Sequence, residues 1–263
     1  MSRVCVITGG TSGIGKATAQ ALLKNGCTVY ELSRREEGLE GTHHIRADVT
    51  DEAQLTRAVE EIVSREGRID VLINNAGFGI SGAVEFTETA DAQRQFDVNF
   101  FGMVRMNHAV LPVMRRQSGG RIVNLSSVAG AIPIPFQTYY SASKAAINSY
   151  TMALANELKP FGIEVLCVQP GDIRTGFTAA RQKLHTGDDV YGGRISRSVA
   201  GMEHDEQTGM APETAGRFIC KMALQKRVKP INTIGFTYSF LCILARLLPQ
   251  KLLNDLVGLL YAK

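Results

Sequence analysis

A tyrosine and a lysine four residues apart, in the run Tyr139-Tyr140-Ser141-Ala142-Ser143-Lys144, are the side chains of this sequence best placed to move a proton. Four residues is about one helical turn, so Tyr140 and Lys144 share a helix face. A free phenol has a pKa of about 10 and stays almost wholly protonated near neutrality. An ammonium about 4 to 5 Å away, at an effective dielectric of about 20, favours the phenolate by about 3 to 4 kcal/mol. That corresponds to a fall of about two or three pKa units, which predicts a tyrosine that works as a general acid or base near neutral pH. An exposed, solvated helix face is the plainer reading of the pair. Tyr139 has Ser143 rather than a lysine at its next turn and is expected to pack.

A second device opens the chain. Arg3 to Thr8 is a short apolar run with the β-branched enrichment of a buried strand. Gly9, Gly10, Thr11, Ser12, Gly13, Ile14 and Gly15 follow, then Lys16 to Asn25 with Ala17, Ala21 and Leu22 at helical spacing, until Asn25-Gly26 stops the pattern. Strand, glycine turn and helix make a phosphate site. The glycines let the backbone approach a pyrophosphate, and the helix N-terminus offers free N–H groups and a positive dipole end. An ordinary strand-to-helix loop is the alternative.

The elements that position these residues alternate along the chain. Strands are expected at Cys27 to Leu32, His43 to Ala47, Ile69 to Asn74, Gly120 to Ser126 and Ile163 to Val168. Helices are expected near Asp51 to Glu66, Phe100 to Gln117 and Gln137 to Lys159. This alternation predicts an α/β Rossmann fold, a doubly wound parallel sheet with helices on both faces, in one domain spanning the 263 residues. Such sheets bind ligands beyond the carboxyl ends of their strands, where Gly9, Arg34, Asp48, Asn75, Ser127 and Pro170 all fall.

Six motifs stand in the order and spacing of the short-chain dehydrogenase/reductase family. They are TGGTSGIG from Thr8, Asn74-Asn75-Ala76-Gly77, Asn99 within DVNFFG, Ser127 within NLSSVAG, Tyr140 with Lys144, and Pro170-Gly171 through Thr175. The chain resembles that family over about residues 3 to 175, and the resemblance implies hydride exchange between a nicotinamide dinucleotide and an alcohol or ketone. Tyr140 then donates the proton and Ser127 hydrogen-bonds the same substrate oxygen, the family spacing choosing it over Ser126. Lys144 binds the nicotinamide ribose and lowers the Tyr140 pKa, and Asn99 holds a water that links Lys144 to solvent.

Cofactor contacts follow residue by residue. The resemblance assigns Gly9, Thr11, Ser12, Gly13, Ile14 and Gly15 to the pyrophosphate turn, and Asp48 with Val49 to the adenine. Asp48 also reads as a helix cap. Asn75, with Ala76 and Gly77, steadies the sheet and lines the adenosine side, while Pro170, Gly171, Ile173 and Thr175 reach the nicotinamide amide. The second strand ends in Ser33-Arg34-Arg35, where a guanidinium grips a phosphate by charge-assisted, bidentate hydrogen bonds. In the family, an arginine at the Arg34 position marks preference for NADP(H) over NAD(H). Glu31, Glu36 and Glu37 cloud that field, and solvent-facing loop charges are the alternative reading.

Composition excludes other classes. A formal charge of +4 with interspersed signs argues against nucleic acid. Five widely spaced cysteines, an odd number, read as core residues in a reducing compartment, and nothing has metal-ligand spacing. His43 and His44 are expected as loop and strand-start residues. A first strand at residue 3 leaves no room for a signal peptide, so a cytoplasmic location is expected.

The substrate region is less regular. Residues 176–210 are polar and glycine-containing, and read as a mobile lid or a plain solvated loop. Ile132, Pro133, Ile134, Pro135 and Phe136 offer an apolar wall that suits a lipophilic secondary alcohol or ketone, with a hydroxysteroid as one candidate. The apolar segment 231–263 is too interrupted to span a membrane. Core and subunit packing is its favoured reading, with a hydrophobic substrate mouth and weak membrane-surface docking as alternatives. This tail gives a looser resemblance to the branch holding 17β-hydroxysteroid, retinol and acyl-dihydroxyacetone-phosphate reductases. The family also implies a homodimer or homotetramer, in which the helices at Phe100 and Gln137 form a four-helix contact. A catalytically idle NADP(H) sensor is the competing class, disfavoured because Tyr140 and Lys144 are both present.

Overall fold

The computed structural model describes residues 2–262. Its first half alternates strand and helix: β1 Val4–Thr8, α1 Gly13–Lys24, β2 Thr28–Ser33, β3 His43–Arg46, α2 Glu52–Glu66 and β4 Val71–Asn74. A short strand β5 (Ile80–Ser81) and helix α3 (Thr89–Phe96) lead through a π-helical turn at Asp97–Phe101 into α4, Gly102–Arg116. Then come β6 Gly120–Leu125, α5 Thr138–Leu158 and β7 Ile163–Gln169. Seven strands form one parallel sheet in the order β3-β2-β1-β4-β6-β7-β9. The expected strands and helices are present, with ends displaced by a few residues. The largest difference is α1, which starts at Gly13 rather than Lys16, so the glycine turn itself supplies the first helical turn.

Alternation along the strands divides the core in two. Val6, Tyr30, Leu72, Ile122 and Val165 face one side, under Leu55 and Ile62 of α2, Met106 and Met114 of α4 and Leu154 of α5. Cys5, Ile7, Ile73, Val123 and Leu166 face the other side, under Leu22 of α1 and Ile219 of a later helix. Asp51 starts α2 by accepting the Gln54 N–H at 3.0 Å, and Gly67 ends it in the left-handed conformation.

Beyond β7 the structure departs from expectation. The polar segment is not a plain loop: α6 (Phe177–Ala180) leads to β8 (Gln182–Lys183), which pairs in parallel with β5, and α7 covers Arg194–Thr208. Lys183 and Arg181 are ion-paired with Glu203 and Glu206 of α7, so its charges tie the segment to itself. Helix α8 (Pro212–Leu224), absent from the sequence reading, lies against α1. Strand β9 (Ile231–Thr233) closes the sheet edge, followed by α9 (Phe236–Leu247) and α10 (Gln250–Tyr261).

Gly216 is where α8 meets α1 most tightly. A Cβ there would lie 2.5 Å from the Ala17 carbonyl carbon and 2.8 Å from Thr18 N, both backbone atoms that cannot turn aside. Gly216→Ala is expected to cost about 1–3 kcal/mol, read as a lower urea midpoint, whereas Gly201→Ala, with open space around the glycine, should leave the midpoint nearly unchanged.

Candidate active site

The sheet order changes direction at β1, whose neighbours are β2 and β4. Ligands of such sheets sit beyond the strand ends at that point. Here a cavity of about 1630 Å³ runs from the glycine turn, past Ser127, Tyr140 and Lys144, to the C-terminal helices.

Asn75 ties the turn to β4. Its Nδ2 donates to Thr8 O at 3.0 Å and Gly9 O at 3.1 Å, while its N–H and that of Ala76 donate to Thr8 Oγ1 at 3.0 and 3.1 Å. Gly9 and Gly13 adopt φ +67° and +51°, and a Cβ on Gly15 would lie 2.2 Å from Gly9 O. Ser12 leaves the helix without a side-chain cap. Lys16 N, bonded to Ser12 O at 3.0 Å, begins the hydrogen-bond ladder, so the preceding N–H groups at Gly13, Ile14 and Gly15 face the cavity wall. The cradle, which any side chain would fill, and the buried, unpartnered Ser33 Oγ on the same wall fit a dinucleotide phosphate group. Thr175 stands across the turn, with its Cβ 3.4 Å from where a Gly13 Cβ would be. Pro170, Gly171 and Ile173 line the wall beside it, with Pro170 O accepting the Val128 N–H at 2.9 Å.

Arg34 and Asp48 lie at the far end, 3.9 Å apart, and both line the cavity with Val49. Asp48 does not cap α2: Asp51 does, and Asp48 Oδ1 accepts from Thr50 N and Oγ1 instead. Two of the three acids thought to cloud Arg34, Glu36 and Glu31, are engaged elsewhere. Glu36 pairs with Arg46 at 2.7 Å, and Glu31 is buried beneath Gly10, where its Oε2 meets His44 Nδ1 at 2.6 Å. His44, expected as a plain strand-start residue, also reaches Arg35 O through Nε2 at 3.0 Å. Spacing held no signal for this, because it depends on β2–β3 pairing.

Helix α5 brings Tyr140 and Lys144 to the end of β6. Ser126 Oγ donates to Lys144 O at 2.9 Å, which engages the rival serine in holding the helix. Ser127 lies free of that role, hydrogen-bonded to the Tyr140 phenol and accepting the Ala129 N–H at 3.1 Å. Lys144 Nζ donates to Leu125 O at 2.8 Å and sits 5.6 Å from the Tyr140 ring centre. The expected lowering of the tyrosine is not found in this arrangement. Burial pushes the Tyr140 phenol up to about 12, the Ser127 hydrogen bond opposing it, and burial brings the Lys144 ammonium down to about 8. An effective dielectric of about 20 belongs to a half-solvated pair. Here desolvation outweighs the attraction because the lysine points at a carbonyl rather than at the phenol oxygen.

Asn99 lies in the π-helical turn, buried and off the cavity wall. Its Oδ1 accepts the Phe78 N–H at 2.9 Å, and its amide hydrogens go to Phe78 O at 2.9 Å and Ser143 Oγ at 3.3 Å. Both ends of the side-chain amide are engaged within the protein rather than on the cavity wall. Asn99 instead shapes the turn at Gly77, where a Cβ would lie 3.1 Å from Asn99 Oδ1 and 3.7 Å from Lys144 Nζ.

The model of the short chain dehydrogenase family matches residues 3–185, which carry this whole constellation except the C-terminal walls. The chain belongs to the short-chain dehydrogenase family. It is 40% identical to a 3-ketodihydrosphingosine reductase of Bacteroides thetaiotaomicron over 99% of this chain and 98% of that protein. A solved short-chain dehydrogenase from Streptomyces avermitilis superposes with a TM-score of 0.82 at 30% identity, covering 92% of each chain. ElxO with NADP bound superposes with a TM-score of 0.75 at 29% identity, covering 91% of this chain and all of that one. This short-chain dehydrogenase fold is therefore one that binds a nicotinamide cofactor.

The walls remote from the cofactor end were only partly legible. Ile132 and Ile134 line the cavity as expected, and Phe136 packs behind them with Ile195 and Val199 of α7. The tail, favoured as core and subunit packing, instead walls the cavity: Tyr238, Leu241, Leu244 and Leu248 of the α9 end and Leu253, Leu256 and Leu260 of α10. Only Cys242 and Val257 are buried in those two helices. Phe177, whose ring is tilted 55° to that of Tyr140 with centroids 5.8 Å apart, and Met202, Asp205 and Glu206 of α7 also line it and were missed. No motif marks them, since they converge only when the segment after β7 folds back.

A pH test follows from Lys144. An unfolded lysine keeps its proton to about 10.5, whereas the buried one releases it at about 8. Between those values the unfolded chain binds more protons, so this group adds stability as pH rises, by at most about 1.4 kcal/mol per pH unit. From pH 7.5 to 9.5, about two units, wild type should gain stability relative to Lys144→Met in urea titrations; parallel pH profiles would refute the assignment.

Proposed function

We propose that this protein is an NADPH-dependent reductase of a lipophilic ketone, with a long-chain keto lipid of the 3-ketodihydrosphingosine kind favoured over a hydroxysteroid. The observation that carries the reading is one cavity with a proton donor at its polar end and leucine walls beyond it. The relative that shares 40% identity over nearly the full length supports the lipid class. A long flexible chain also suits a channel walled by leucines of two helices.

The nicotinamide, when bound, supplies the hydride. Tyr140, protonated at neutral pH, gives its proton to the ketone oxygen as negative charge develops there. Ser127 donates a hydrogen bond to the same oxygen, which is worth most in a site shielded from water. Lys144 holds the ribose hydroxyls and lies close enough to the ring to follow the charge left on Tyr140. With its pKa raised to about 12, the phenol carries its proton near neutrality, which is the form that reduction requires. At the other end, Gly9 and residues 11–15 hold the pyrophosphate, Asn75, Ala76 and Gly77 line the adenosine side, and Asp48 with Val49 meets the adenine. Pro170, Gly171, Ile173 and Thr175 flank the nicotinamide. Ser33 and the exposed Arg34 take the extra phosphate of NADP.

Two further parts of the reading have support. All five cysteines are free thiols, in keeping with a reducing, cytoplasmic setting. Phe101 and Met152 stay exposed beside α4 and on α5, in keeping with a subunit contact between those helices.

With a long-chain 3-keto lipid, Tyr140→Phe should lower kcat by about 10²–10⁴-fold while NADPH binding survives. Turnover equal to wild type would end the catalytic assignment. Arg34→Ala should reduce kcat/KM for NADPH about tenfold and leave NADH nearly unchanged; an equal loss with both cofactors would remove the preference.

A further inference from the structure

Helix α9 is apolar on two faces. Tyr238, Leu241, Leu244 and Leu248 point to the cavity. Phe236, Phe240, Ile243 and Leu247 recur at helical spacing as a separate stripe that lines nothing, with Phe236 88% and Leu247 77% exposed. A helix apolar all round is ordinarily enclosed, and a contiguous exposed apolar strip marks a surface that docks. On α10, Leu256, Leu259 and Leu260 both line the cavity and stay exposed, so the cavity wall runs without a break onto the outer surface.

Charge decides what this surface meets. On α9 and α10 themselves, Arg246 and Lys251 stand against Asp255 alone, and all three are exposed. Two copies meeting through this tail would bring like charges together, whereas an anionic surface would be attracted. Apolar side chains flanked by cations are the pattern of a segment lying in a bilayer interface. No helix of the described residues is long and apolar enough to cross a membrane.

We propose that α9 and α10 dock on the surface of an anionic phospholipid bilayer, with the Phe236, Phe240, Ile243 and Leu247 stripe seated among the acyl chains. The cavity mouth at Leu256, Leu259 and Leu260 then opens into the lipid, and a lipophilic ketone passes from bilayer to Tyr140 without crossing water. The second step rests on the lipophilic-substrate reading; the docking itself does not.

The test is co-sedimentation of the full chain with vesicles of phosphatidylcholine alone and of phosphatidylcholine mixed with phosphatidylglycerol. Wild type should pellet with the mixed vesicles at low salt, and the bound fraction should fall about tenfold in high salt. Phe236→Ser combined with Leu247→Ser, outside the cavity wall, should abolish pelleting while NADPH binding and thermal midpoint stay near wild type. Wild type remaining in the supernatant, equal binding to uncharged vesicles, or unchanged pelleting of the double variant would each overturn the proposal. So would a drop in oligomer size of the double variant by light scattering without loss of vesicle binding, which would assign the stripe to a second copy. Sedimentation needs no turnover, so failure of the ketone-reductase reading and failure of docking are separately visible.

Discussion

The attachment of α5 to the end of β6 is the constraint on which the site depends. Ser126 Oγ bonds to Lys144 O from one side, Lys144 Nζ bonds to Leu125 O from the other, and Gly130 lets the next turn approach within a distance no Cβ permits. These contacts fix the rotation and height of α5 relative to the strand. Tyr140, one turn earlier, is thereby set against Ser127, and the rival serine is removed from the chemistry. Buried hydrogen bonds of this kind are costly to break singly, because each would leave an orphaned polar group. The helix has little freedom to slip.

The same clamp explains the electrostatics. Bringing Lys144 to a carbonyl in a closed site lowers its own affinity for a proton and leaves Tyr140 protonated. Proximity in sequence promised a phenol drawn down by a neighbouring cation. Burial reverses the sign of the effect and keeps the proton on Tyr140 near neutrality. The cofactor end rests on a comparable lock, in which Asn75 joins β4 to the turn after β1 and so sets the width of the crevice between those strands.

Around these two junctions the substrate end is assembled from short elements. Short helices, a two-stranded parallel pair and two C-terminal helices close over the cavity, and ion pairs internal to the segment hold α6 and β8 to α7. The apolar tail belongs to that assembly rather than to the main core. Its outward stripe stays exposed.

The sequence by itself determined the order of strands and helices, the phosphate turn, and the identities of Ser127, Tyr140 and Lys144. Each of these is encoded by local pattern: periodicity, glycine placement and a spacing of one turn. It did not determine α8, whose partner α1 lies nearly two hundred residues away in the chain, nor the pairing of Glu31 with His44, which needs β2 and β3 side by side. Nor could spacing reveal that Asn99 turns its amide to Phe78, or that the tail walls the cavity. Those outcomes were decided by the tertiary structure, because burial, desolvation and the choice among several apolar partners depend on which surfaces the folded sheet leaves uncovered.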